Sequence, residues 1–179
     1  MRLEELELVC QEAARNLVER RPRALPAVVL PLAEATRVVT MPDFPDDDPA
    51  RFDLLAAFAR ETVRPANAPC YGFVAEAVAE ADGEAVDVVV IAYGARRHRA
   101  RVTAAPLLAA EAGADVEIGE FTASEELDPT AMPFLSPLQH AVDEAEPPED
   151  GGGIGGIGDP GGIGGMGGVG GGLPIINGG

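Results

Sequence analysis

The chain has 179 residues and a formal net charge of −17, because 30 acidic residues face 13 basic ones, all of them arginine. This balance argues against binding to nucleic acid or to anionic membrane surfaces, since both require a basic surface. No apolar stretch approaches the roughly 18 residues of a membrane-spanning helix, and the acidic N-terminus is not typical of a signal peptide, so we expect a cytoplasmic protein.

The first quarter of the chain predicts one helix and two strands. Apolar residues recur at helical spacing over residues 3–17 with charged residues between them, which indicates an amphipathic helix that ends before Pro22. Residues 27–32 and 36–41 are rich in valine and predict two short strands that can pair as a hairpin. Pro31 indicates an edge position for the first strand, because proline cannot donate to a neighbouring strand.

A second helix is predicted by its starting signal. Asp48 followed by Pro49 is typical of a helix cap and first helical position, and Pro65 ends the pattern after about Arg64.

The apolar period then changes from helical to alternating. From Tyr71 onward it predicts a strand, a turn at Asp82-Gly83, and a buried strand over residues 86–93. Gly94-Ala95 predicts the next turn.

Four arginines follow this turn and form the only concentrated positive charge of the domain. Three of them alternate and are predicted on one face of a strand, with the fourth in the turn, which makes them a candidate anion or partner patch. The alternative is an ordinary solvent face that cross-strand Glu76 and Glu80 neutralise. The four are Arg96, Arg97, Arg99 and Arg101.

The remaining elements complete the predicted domain. Residues 116–121 indicate a further strand, and residues 132–142 a loop and a short closing helix. The order of elements predicts an α+β domain over residues 1–142, with a small, mainly antiparallel sheet and two main helices on one face.

The C-terminal part has a different composition. Residues 143–150 form an acidic, proline-containing linker, and residues 151–179 contain 17 of the 22 glycines. From Gly152 the sequence repeats in Gly-Gly-X triplets, the period of a polyproline II helix, in which the X residues would form one apolar ridge. Glycine is costly to order, so a disordered, irregular tail is the alternative. The candidate partner-binding residues are Ile154, Ile157, Ile163, Met166, Val169, Leu173, Ile175 and Ile176.

Few residues are suited to catalysis or metal binding. Cys10 and Cys70 are too few for a disulfide framework, and two histidines 42 residues apart without a C-x-x-C motif do not indicate zinc. The absence of lysine excludes Schiff-base chemistry. We therefore assign no catalytic residue, metal or cofactor, and lean away from an enzyme.

Two functions remain as hypotheses. The first is a non-enzymatic interaction or accessory protein whose tail docks on a larger protein partner or self-assembles. The second is a domain that binds a small anionic ligand, or acts on one, through Arg97, Arg99 and Arg101, with a passive tail. Variants of the tail and of the arginines separate the two.

Overall fold

The computed structural model describes residues 1–20, 25–109 and 116–147. Its α-helices are α1 (Leu3–Val18), α2 (Asp48–Phe58) and α3 (Ser136–Asp143). A π-helical turn (Ala59–Val63) continues α2, and a 3-10 turn (Pro133–Leu135) precedes α3. The strands are β1 (Ala27–Pro31), β2 (Thr36–Thr40), β3 (Cys70–Ala81), β4 (Glu84–Ala95), β5 (Arg101–Ala109), β6 (Val116–Ile118) and β7 (Glu125–Glu126).

The strands form one curled antiparallel sheet in the order β2-β1-β3-β4-β5-β6, with β7 also pairing with β5. Its centre is the hairpin of β3 and β4, two strands of twelve residues each, which turns at Asp82 and Gly83 with φ angles of 53° and 82°. Two consecutive positive φ angles match the right-handed twist of a hairpin, and Asp-Gly adopts them readily. The predicted turn and the α+β class are confirmed.

The two faces of the sheet carry separate cores. Because side chains alternate along a strand, Val28 and Phe73 face α2, α3 and the π-helical and 3-10 turns next to them. Val29 and Ile91 face the other way and pack with α1. We expected the two main helices on one face, but α1 and α2 lie on opposite faces. Each helix has an apolar side that the sequence reveals, but the face it covers depends on tertiary packing.

The edge position that Pro31 predicted for β1 is wrong. β1 lies between β2 and β3, and its pairing with β3 covers only Ala27–Val29, so Pro31 lies beyond the residues that pair with β3. Proline is therefore tolerated here without the loss of a bond to β3.

The start of α2 differs by one residue from the prediction. The capping side chain is that of Asp47, whose carboxylate accepts a hydrogen bond from the Ala50 backbone N–H at 3.0 Å. Asp48, the predicted cap, is the first helical residue and pairs with Arg51 at 3.2 Å.

Three further boundaries also differ. Gly94 and Ala95 belong to β4 rather than to a turn, and the strand predicted over residues 116–121 ends at Ile118. The segment assigned to the linker begins with ordered residues, since Glu144 forms an ion pair with Arg64 and Glu146 exchanges two hydrogen bonds with Asn67. The rest of the linker and the Gly-rich tail lie outside the described residues.

Candidate functional site

The predicted patch of Arg97, Arg99 and Arg101 on one strand face does not form, because β5 begins only at Arg101. Residues 96–100 form the connection between β4 and β5, and Arg97 has a left-handed φ of 61°. This turn breaks the alternation on which the predicted patch depended. Only Arg101 lies on a strand, where it is paired across from Tyr93 and bonds Ser124 at 2.6 and 3.2 Å. Arg96 donates its backbone N–H to Pro69 at 2.8 Å.

Two side chains of α3 hold this connection in place. The Gln139 amide nitrogen donates to the carbonyls of Ala95 and His98, at 3.3 and 3.2 Å, and to the Asp143 carboxylate at 3.1 Å. The same carboxylate oxygen accepts the Arg97 backbone N–H at 2.7 Å. Non-glycine residues with positive φ are uncommon and costly, and they persist where the surroundings fix them. Gln139 and Asp143 supply that fixation here.

The connection of residues 96–100, called the held loop below, contributes to the lining of a cleft of about 620 Å³. Residues of β7 and the segment after it also line the cleft, and they are bonded to this loop, since the Leu127 backbone N–H donates to the Ala100 carbonyl at 2.9 Å. The lining is mainly apolar and includes Leu127, Met132 and Leu135. The volume falls in the range of small-molecule sites, which combine an apolar lining with a few polar groups.

The polar groups at this cleft carry both signs of charge. Arg99 forms an exposed ion pair with Glu126, and the Asp143 carboxylate is occupied by the bonds described above. Arg97 is exposed, and its guanidinium forms no ion pair or hydrogen bond with a described residue. In a chain of net charge −17, this is a cation that no described carboxylate neutralises directly.

Tyr71 is also among the residues that line the cleft. Its side chain is almost wholly buried, and burial together with the nearby Asp143 carboxylate raises the pKa of Tyr71. The phenol therefore stays protonated at neutral pH and is a hydrogen-bond donor. It donates to none of the described residues.

The Gln139 amide leaves its oxygen without a partner. Oε1 is buried, and among the described residues nothing donates to it. It packs where a Cβ on Gly94 would overlap it, beside the ring of Tyr71. Rotating the amide would not help, because its oxygen would then face three acceptors. An unsatisfied buried acceptor costs about 1–3 kcal/mol, so the loop is held at a cost to stability.

The cysteines are unsuited to nucleophilic chemistry. Both are buried, and burial raises the pKa of Cys10 to about 12 and that of Cys70 to about 11. Among the described residues, the Cys70 thiol has long contacts to Met1 Sδ at 4.0 Å and the Pro31 carbonyl at 3.9 Å, and none to a histidine. Within the described ranges no group of three or more His, Cys, Asp or Glu residues is arranged to hold a metal ion.

The sequence analysis named Arg97 and Arg99, which line the cleft, but did not name Gln139 and Asp143, which bond the loop. Gln139 and Asp143 are four residues apart on a helix whose other side, with Leu138 and Val142, is buried. That spacing was a usable signal for a polar pair on one helix face. It could not reveal that the pair contacts a loop about 40 residues earlier in the chain.

The tail residues from Ile154 to Ile176 proposed for partner binding lie outside the described residues. No helix in the described part of the chain is long and apolar enough to cross a membrane. Comparisons of the chain with protein-family models, with curated proteins and with solved structures give no match.

Proposed function

We propose that the folded domain is a binding module that takes a small anionic ligand in the cleft between α3 and β7. The observation that carries the proposal is Arg97, which lines the apolar cleft and whose exposed guanidinium pairs with no described residue. Its backbone has a left-handed φ and is bonded by Asp143. We assign no chemical step to the site.

The physical basis is preorganisation. An exposed ion pair usually contributes little free energy to stability or binding, because two long side chains must be ordered and water screens the charges. At this site the backbone of the cation is already fixed, and apolar groups replace part of the water around a bound ligand. Both conditions strengthen an ion pair relative to one on an open surface.

The test is an NMR titration of the full chain with sodium butanoate at constant ionic strength. Saturable shifts of the amides of residues 97–100 and 126–127 are expected. Arg97→Gln abolishes them, whereas the matched variant Arg60→Gln keeps them, because Arg60 is exposed and pairs with Glu61 away from the cleft. Shifts that stay linear with butanoate, or that survive in Arg97→Gln, contradict the proposal.

A second candidate function is favoured by the register of the tail. Its Gly-Gly-X triplets keep apolar residues at every third position, whereas a plain spacer needs no such residues. We propose that this apolar ridge docks on a larger, cytoplasmic protein partner, or on other copies of the chain, as an accessory or adaptor. This role is compatible with ligand binding by the folded domain.

The tail proposal is tested in the full chain. Ile154, Ile157 and Ile163 are replaced together by serine, and the control replaces Gly153, Gly156 and Gly162 by serine. Cross-linked partner recovered from lysate should fall in the first variant and not in the second. Sedimentation of the purified protein distinguishes self-assembly from docking on another protein, because only self-assembly produces oligomers in the absence of a partner. Equal behaviour of all three proteins refutes both forms of docking.

A further inference from the structure

We infer that the ligand of the cleft is a monocarboxylate with an apolar body, rather than a polyanion such as phosphate. This inference rests on the proposed anion site and adds the class of ligand. Three features of the cleft support it: its lining, the charge balance of its rim, and the hydroxyl of Tyr71.

The lining predicts the body of the ligand. Leu127 and Leu135 are buried core residues whose side chains reach the cleft, and Met132 packs partly buried beside them. Methionine adapts to irregular shapes, so such a wall tolerates apolar groups of several lengths. Each methylene removed from water contributes about 0.8 kcal/mol, which corresponds to about a fourfold gain in affinity.

The rim predicts the charge of the ligand. Arg97 and Arg99 are balanced by Glu126 and Asp143, so the four side chains sum to zero. A dianion would gain from Arg97 but would be repelled by both carboxylates. A monoanion needs only one guanidinium, and that of Arg97 has no partner among the described residues.

Tyr71 predicts the hydrogen-bonding character of the head group. A protonated phenol is a donor without a described acceptor, and it lines the same cleft as Arg97. A carboxylate has two oxygens, so one can accept from the guanidinium and the other from the phenol. An alcohol or an amine of the same length cannot satisfy both donors in this way.

The experiment measures dissociation constants by NMR for acetate, butanoate, hexanoate and octanoate, for the matching alcohols, and for inorganic phosphate. The full chain is used at constant ionic strength. We expect each added methylene to tighten binding about fourfold until the cleft is filled. The alcohols and phosphate should bind at least tenfold more weakly than hexanoate.

Two pairs of variants localise the contacts. Tyr71→Phe should weaken every carboxylate about tenfold, as expected for the loss of a hydrogen bond to a charged group. Tyr93→Phe, the control, removes the hydroxyl that bonds Glu7 at 2.6 Å and should leave binding unchanged. Met132→Ala should reduce the gain per methylene, while Leu108→Ala, an exposed residue on β5, should not.

The outcomes separate this inference from the anion site itself. If acetate binds saturably through Arg97 but chain length has no effect, or if phosphate binds more tightly than hexanoate, the ligand class is wrong and the anion site stands. If no carboxylate binds saturably, both fail. Because the chain-length series uses the unchanged protein, loss of folding in a variant leaves the test intact.

Discussion

A close contact between Gly72 and Cys10 joins α1 to the centre of the sheet. A Cβ on Gly72 would overlap the Cys10 sulfur, while the next nearest atoms, Cys10 Cβ and Val29 Cβ, would lie at 3.5 Å, an ordinary contact distance. The sulfur is thus the only severe obstacle among these atoms. Gly72→Ala should therefore be costly alone and tolerated once the sulfur is removed.

The expected magnitudes follow from packing. Overfilling a core costs about 1–3 kcal/mol, and the strand regains about 0.5–1 kcal/mol when glycine becomes alanine, so Gly72→Ala should cost about 1–2 kcal/mol. Cys10→Ala should cost about 0.5–1.5 kcal/mol, as for other small deletions in a core. In the double variant the new methyl fills the vacated space, and the total should be only about 0–1 kcal/mol.

The assay is equilibrium unfolding in urea followed by far-UV circular dichroism, since the chain has no tryptophan to report by fluorescence. The matched control is Gly94→Ala, whose Cβ would meet Gln139 and Tyr71 instead. Its cost should add to that of Cys10→Ala within about 0.5 kcal/mol. Additive costs for Gly72→Ala and Cys10→Ala would refute the packing argument.

Three other predictions concern the helix cap, the thiols and the held loop. Asp47→Ala should lower the free energy of unfolding by about 1 kcal/mol in urea, while Asp46→Ala should change it by less than half of that. Both cysteine thiols, with pKa values raised by burial to about 12 and about 11, should resist alkylation at pH 8 unless urea is present. Because the folded state favours the protonated thiols, their contribution to the free energy of unfolding is complete below the ordinary thiol pKa and is lost as pH rises through 11 to 12. A free energy of unfolding that does not fall over this pH range contradicts the prediction. Gln139→Leu should speed hydrogen exchange of the Arg97 amide, and unchanged exchange there would show that the amide does not hold the loop.

Elements defined by local patterns were predictable from the sequence. The helix α1 shows its apolar spacing directly, and the β3–β4 hairpin combines alternation with an Asp-Gly turn. The closing helix α3 was also expected, because its apolar residues and proline stand close together in the chain. In each case the pattern that predicts the element lies within the element itself or at its turn.

The candidate site was predictable only in part. Arg97 and Arg99 were named because they belong to a local concentration of positive charge. Their predicted place on one strand face was wrong, because the chain makes a left-handed turn at Arg97 that the sequence does not signal. The position of that turn depends on Gln139 and Asp143, about 40 residues later. Long-range contacts of this kind leave no periodic trace, so the cleft could not be derived from the pattern alone.

The anchoring of residues 144–146 has a mechanical consequence. A pulling force that enters the domain at residue 147 meets the Asn67–Glu146 hydrogen bonds first and the Arg64–Glu144 ion pair next, before it reaches α3. These contacts would yield at low force and in sequence, while the Gln139 and Asp143 bonds to the loop are still intact. Tension applied from residue 147 would therefore load these contacts before it loads the bonds that Gln139 and Asp143 make to the loop.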